Sequence, residues 1–250
     1  MSFGIIMLEI KEIYRRFGRN PVLQGITFDV APGEVVGVLG ANGAGKTTLM
    51  RIMAGYLEPG AGEVLYNGSD IFCDRMVFRK ILGYLPEGCP LYDEMLVGDY
   101  LLFRGLLRGL SRRRTERRQR DVAVLCGVQE VLNSPIRSLS AGFKRRVGLA
   151  EVMLAQPKVF LLDDPFAGLD VAHAYAMRQA MAAASARAAI VVSGHDVAGL
   201  AEVCTRFIVL RKGRMIFSQR VSEQDTSAMV RNLSLMVAGD ELPVGMEAEQ

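Results

Sequence analysis

Val35-Val36-Gly37-Val38-Leu39 carries no polar side chain and runs directly into Gly40-Ala41-Asn42-Gly43-Ala44-Gly45-Lys46-Thr47. A strand without a polar face has to be covered on both sides, as strands are inside a parallel sheet. The octapeptide fits the spacing of a phosphate-binding loop: glycine, four residues, then Gly-Lys-Ser/Thr. Its glycines let the backbone fold into a nest whose N–H groups point at phosphate oxygens. A helical run follows, about Lys46 to Tyr56, and adds the positive end of its dipole. In such a loop Lys46 reaches the β- and γ-phosphates, and the Thr47 hydroxyl ligates Mg²⁺. Thr48 continues the nucleotide-binding set. The pattern by itself does not separate kinases, GTPases and ATP-driven machines.

Two further runs are apolar throughout, Val159-Phe160-Leu161-Leu162 and Ala189-Ile190-Val191-Val192. They read as more strands of the same buried sheet, each ending in a polar or glycine-rich turn where ligands collect. Met7 to Ile13 and Ile26 to Val30 instead alternate apolar and polar, which predicts half-buried antiparallel strands. From about Leu91 to Glu151 the chain is rich in Leu and Arg with helical spacing, which predicts a helical insert. Arg104 to Arg120 holds eight arginines against Glu116 alone, a local charge of +7 in a chain whose net charge is +3. The expected reading is a solvated helix face, with anionic lipid headgroups as the next candidate. Nucleic acid is not expected, because only Phe103 stands near for stacking.

Composition removes other classes. No run of 18 apolar residues exists, so no membrane-spanning helix is expected. Phe3 to Leu8 is too short, and too poor in flanking basic residues, for a signal peptide. Cys73, Cys89, Cys126 and Cys204 are widely spaced and read as free buried thiols in a reducing cytosol. His173 and His195 are too few for a histidine metal site. A mean hydropathy of +0.20 is high for a chain with no span, and suggests surface covered by a partner.

The strand Val159 to Leu162 ends in Asp163 and Asp164. A carboxylate at that point, beside a phosphate loop, suits Mg²⁺ for Asp163 and the orientation of attacking water for Asp164. Between the two motifs lies Leu139-Ser140-Ala141-Gly142-Phe143-Lys144-Arg145-Arg146, which resembles the Leu-Ser-Gly-Gly-Gln signature of the ABC-type ATPases in a form with a bulky last residue. The rest of the row agrees in order over about residues 7 to 218. Phe17-Gly18 resembles the adenine-stacking aromatic loop, with Tyr14 as an alternative. Gly40 to Thr47 resembles the Walker A motif, and Glu87 sits where the family has its Q-loop glutamine, from which its carboxylate would approach Mg²⁺ or the water on it. Asp163-Asp164 resembles the Walker B motif, Ala167-Gly168-Leu169-Asp170 the D-loop, and Ser193-Gly194-His195-Asp196 the switch histidine. His173 has no motif role.

The resemblance implies an α/β P-loop NTPase with a RecA-like parallel core, an N-terminal antiparallel β part and a helical insert at about 88–151. The ATPase domain is expected over 1–220, and a C-terminal extension with an acidic tail over 221–250. The implied function is an ATP-hydrolysing motor that uses ATP and Mg²⁺ and dimerises head to tail, as a homo- or heterodimer. Ser140, Ala141, Gly142 and Asp170 would then meet the ATP across the seam. The partner is an integral membrane transporter subunit at the cytoplasmic face, and Glu87 with the Phe143 signature suggests an exporter-type bacterial pairing. Asp164 stands where the family has Glu, one methylene shorter, and a shortfall of about 1 Å can cost on the order of a hundredfold in rate. Slow hydrolysis is therefore expected. The alternatives are a degenerate ATP-binding regulatory subunit and a soluble ABC protein acting on nucleic acid.

Overall fold

The computed structural model describes residues 7–221 and 226–238. The predicted acidic tail, from Asp240 onward, lies outside them. In chain order the elements begin with β1 (Leu8–Phe17), β2 (Asn20–Val30), β3 (Val35–Leu39) and α1 (Lys46–Met53). Next come β4 (Ala61–Tyr66), β5 (Ser69–Asp70), α2 (Arg75–Ile81) and β6 (Leu82–Leu85). The insert contributes α3 (Val97–Leu107), α4 (Arg112–Leu125) and α5 (Ala141–Met153). The chain then returns through β7 (Val159–Asp163), α6 (Val171–Ser185), β8 (Ala189–Gly194) and α7 (Val197–Ala201). It closes with β9 (Arg206–Arg211), β10 (Arg214–Arg220) and α8 (Thr226–Ala238).

Two sheets result. The antiparallel one runs β2-β1-β4-β5, and the larger one runs β10-β9-β3-β8-β7-β6. In the larger sheet β9, β3, β8, β7 and β6 are parallel, and β10 pairs antiparallel with β9. Every residue of β3, β7 and β8 is buried, as their unbroken apolar runs require. One apolar core lies between the two sheets and takes in Leu49, Met50, Ile52 and Met53 of α1. The other lies on the opposite face, under the insert. No helix among the described residues is long and apolar enough to cross a membrane.

Some local expectations change. α1 stops at Met53 rather than near Tyr56, because Gly55 adopts φ 69 and its N–H turns back to the Ile52 carbonyl at 2.9 Å. Phe207 to Leu210 is a fourth buried run, in β9, that the sequence reading passed over. α8 was not expected either, yet it buries Met229, Leu233 and Met236 in the core under the insert. Of the four free cysteines, Cys126 and Cys204 are buried, Cys89 is half-buried and Cys73 is exposed.

The arginine run is only partly a solvated face. Glu151 of α5 is buried and takes Arg104 at 2.9 Å and Arg108 at 3.6 Å, while Arg108 also donates to the Leu82 carbonyl at 2.7 Å. Arg118 donates to the carbonyls of Met153 and Leu154. Arg104 and Arg118 thus fasten α3 and α4 to α5, and Arg108 ties the end of α3 to β6.

Candidate functional site

β3 lies between β8 and β9, so the chain changes direction across the sheet at β3. A crevice opens beyond the carboxyl ends of strands at such a point. Here it is a cleft of about 450 Å³ lined by Val22, Asn42, Gly43, Gly45, Lys46, Thr47, Thr48, Glu87, Asp163 and Asp164.

The loop at its floor depends on glycine. A Cβ on Gly40 would stand 2.5 Å from the Leu210 carbonyl oxygen. Gly45, which precedes α1, has φ 108, and a Cβ there would meet Leu23 and the Val22 carbonyl at 2.8 and 2.9 Å. Lys46 folds back over the loop and donates to the carbonyls of Gly40 at 2.6 Å and Ala41 at 3.1 Å. Burial lowers the pKa of its ammonium, against the pull of Asp164, Asp163 and Glu87.

Asp163 closes β7 beside this loop. Its Oδ1 accepts a 2.6 Å bond from the Ser193 hydroxyl of β8, while its buried Oδ2 has no hydrogen-bond partner among the described residues. Burial pushes the carboxyl above its ordinary range, although the Ser193 and Thr47 hydroxyls pull the other way. An unpartnered carboxylate oxygen in the cleft that holds Thr47 is the donor set that Mg²⁺ takes, one or two protein oxygens with substrate phosphates supplying others. Among the described residues, no group of three or more His, Cys, Asp or Glu could hold a metal without such help.

Asp164 has φ 47, a left-handed backbone that Asp tolerates better than most residues. Two contacts hold it there: its N–H donates to Ser193 Oγ at 3.0 Å, and its carbonyl accepts from Arg145 at 2.8 Å. Its Oδ2 lies 3.3 Å from Nδ1 of His195, just past the end of β8. The two residues singled out for catalysis are therefore in contact, with the carboxylate lining the cleft and the imidazole exposed outside that lining.

The other singled-out residues are not in the cleft lining. Phe17 ends β1, half exposed, with the Arg15 guanidinium 5.0 Å from its ring centre. Tyr14 bonds through its hydroxyl to Glu12 and packs over Gly25. Ser140 caps α5 by accepting from the Phe143 N–H at 3.3 Å, with Ala141 and Gly142 in the first turn. Asp170 caps α6 and accepts from both the N–H and the ring of His173, which holds its carboxyl below the usual range.

His173, which has no place in the motif row, joins these last two pieces. Its ring meets Phe143 edge-on at 5.4 Å and would stand 3.3 Å from a Cβ on Gly142. The Arg146 guanidinium also lies over Phe143, 4.2 Å from the ring centre. The bulky signature residue is thus clamped. Sequence reasoning also missed Arg145, which lies within the signature segment but gives no hint there that it reaches Asp164.

Comparison with known proteins agrees with this geometry. The family described as ABC transporter matches residues 23–167. The ABC-type transporter ATP-binding protein EcsA of Bacillus subtilis (strain 168) is 30% identical over 87% of this chain and 88% of its own length. The lipopolysaccharide export system ATP-binding protein LptB of Acidithiobacillus ferridurans is 30% identical over 95% of this chain and 99% of its own. The solved structure of an ABC transporter ATP-binding subunit superposes with a TM-score of 0.81 at 28% identity, covering 93% of this chain and 99% of that one. Fold, cleft and sequence all say that this chain belongs to the ABC transporter ATP-binding family, whose members bind ATP.

Proposed function

We propose that this chain is the ATP-hydrolysing motor subunit of a transporter whose membrane-spanning part is a separate protein. The observation that carries the reading is the convergence of Lys46, Thr47, Glu87, Asp163 and Asp164 on one cleft at the end of β3. The loop N–H groups and the N-terminus of α1 receive the phosphates, and Lys46 leaves the Gly40 and Ala41 carbonyls to donate to phosphate oxygens. Thr47 and the free Oδ2 of Asp163 would hold Mg²⁺, with Glu87 at the cleft edge, and the ion supplies neutralisation of phosphate charge. Asp164 orients the attacking water and accepts its proton, with His195 steadying the carboxylate.

Ser140, Ala141, Gly142 and Asp170 do not line their own chain's cleft, which supports a head-to-tail dimer in which a second subunit presents them. Val171, 83% exposed, and Tyr175, on the same helix as the Asp170 cap, give that seam an apolar surface. Phe17 is open to stack on adenine from the side of β1. The membrane subunit has a fitting groove of about 320 Å³ between core and insert, lined in part by Tyr56, Tyr84, Tyr92 and Tyr100. Such docking holds the chain at the cytoplasmic face of the membrane. An exporter-type pairing is supported by Glu87, the Phe143 signature and the likeness to the lipopolysaccharide export subunit.

Asp164 supports slow turnover, since its carboxylate is a methylene shorter than the family's Glu. The test is single-site ATP hydrolysis by wild type and Asp164→Glu. A rise of about tenfold or more is expected if reach limits the step, and an unchanged rate overturns that point. Purification from membranes should bring an integral membrane protein with the chain. Recovery with RNA or DNA in its place would overturn the transporter reading.

A further inference from the structure

Four arginines of α4 have no structural employment. Among the described residues Arg113, Arg114, Arg117 and Arg120 form no ion pair and no side-chain hydrogen bond, and all four are exposed. They surround a shallow basin of about 430 Å³ with Ser111. Their neighbours in the run are accounted for: Arg104, Arg108 and Arg118 bind the core, and Arg112 pairs with Glu116 at 2.9 Å.

The arrangement works against the helix that carries it. Arg113 and Arg117 are four residues apart, and Arg117 and Arg120 three, so like charges stack on one face. That face also carries Val124, which is exposed, and it lies opposite Thr115 and Val122, which are buried. The first turn of α4 has three arginines and no acid, where the helix dipole favours the reverse. A folded chain gains nothing from these charges alone, and an anionic surface would relieve all of them together.

Two apolar side chains are exposed at the end of the preceding helix, one of them, Leu107, in a cleft it shares with Met76, Arg79 and Lys80. Leu106 and Leu107, at the end of α3, are 43% and 61% exposed. α3 and α4 are held together where Gly105 meets Thr115, whose methyl would stand 2.2 Å from a Cβ on Gly105. The hairpin, fixed at that contact, therefore carries exposed leucines at the end of one helix and the arginines on the next. Arg114 also lines a second cleft, of about 590 Å³, with Arg118, Lys158 and Arg187, so the basic surface runs on to the ends of the sheet far from the nucleotide cleft.

We infer that the α3–α4 hairpin is a lipid-contacting element: Arg113, Arg114, Arg117 and Arg120 bind the headgroups of an anionic membrane surface while Leu106 and Leu107 enter the interface. Exposed leucines on the same hairpin as the arginines favour a bilayer over a nucleic acid, which would call for aromatic stacking surfaces. The contact needs no membrane subunit. Vesicle binding and subunit recovery are read separately, so either can fail without the other.

The experiment is sedimentation of the full chain with vesicles of phosphatidylcholine containing about one-third phosphatidylglycerol, at about 0.1 M salt. Binding to these vesicles, none to pure phosphatidylcholine, and release at about 0.5 M salt are expected. Replacing the four arginines with Gln should weaken binding by about fivefold for each, with ATP binding unchanged as the check on folding. Replacing them with Lys should restore most of it. Since the chain contains no tryptophan, Leu107→Trp supplies a lone fluorophore whose emission should shift to the blue on anionic vesicles. Wild type failing to bind, or the Gln variant binding as well as wild type, overturns the proposal. Tighter retention of single-stranded RNA than of vesicles also overturns it, as does an unshifted Leu107→Trp emission.

Discussion

The guanidinium of Arg145 donates to the main-chain carbonyl of Asp164 at 2.8 Å, tying the signature helix to the end of the acidic strand. Asp164 is held at φ 47, a conformation that costs an L-residue roughly 1–2 kcal/mol, so its position depends on such ties. Arg145→Met is expected to leave ATP affinity in place and lower turnover by about ten- to a hundredfold through a shift of about 1 Å. Separate measurement of nucleotide binding and hydrolysis checks this, and equal losses in both would point to general unfolding of the site.

Asp163 gives a pH-dependent prediction. Burial raises its carboxyl from the ordinary value of 3.8, so the protonated form is the one that favours folding. That contribution is complete below about pH 4 and is lost as pH rises through the folded pKa. Asp163→Asn, in the presence of a chelator, should therefore melt above wild type at neutral pH. A gain of about 1 kcal/mol corresponds to about 2–4 °C for a chain of this size. The gap should narrow as pH falls toward about 4, and turnover should be lost throughout. A variant melting below wild type at neutral pH would show that Oδ2 is compensated.

Gly40→Ala tests the loop itself. The new methyl would meet the Leu210 carbonyl oxygen at 2.5 Å, on a backbone segment of β9 that has no room to retreat. A loss of about 1–3 kcal/mol of stability is expected, together with loss of nucleotide binding. Denaturant titration and fluorescent-nucleotide binding read the two effects.

Glu151 is the joint between α3 and α5. Glu151→Ala leaves Arg104 without its carboxylate and Arg108 with only the Leu82 carbonyl. Because both arginines remain partly solvated, the cost should be about 2 kcal/mol, below the range for a fully buried pair. Hydrogen exchange should rise first in α3, whereas uniform loosening of the sheet would count against this joint.

The parts of the fold that were legible are those where one local pattern has one outcome. Val35 to Leu39, Val159 to Leu162 and Ala189 to Val192 are apolar because both faces are covered, and they became β3, β7 and β8. The loop from Gly40 to Thr47 announces its conformation through its glycines. α8 hides its core contacts in Met229, Leu233 and Met236 among polar neighbours, so its pattern is faint without the surface it packs on. The Arg145–Asp164 and Phe143–His173 contacts join residues 19 and 30 positions apart on separate elements, and no local pattern encodes them.

The central place of β3 has a consequence for synthesis. Both of its neighbours, β8 and β9, come from the far end of the chain, and Val35 meets Thr205 across 170 residues. At about 5–20 residues per second, a ribosome needs roughly 10–30 s to supply them after the loop strand emerges. For that interval the most apolar strand of the nascent chain has no partner on either edge. The nucleotide loop can then take its final shape only at the end of translation, and a prematurely released chain would expose that strand rather than a partly working ATPase.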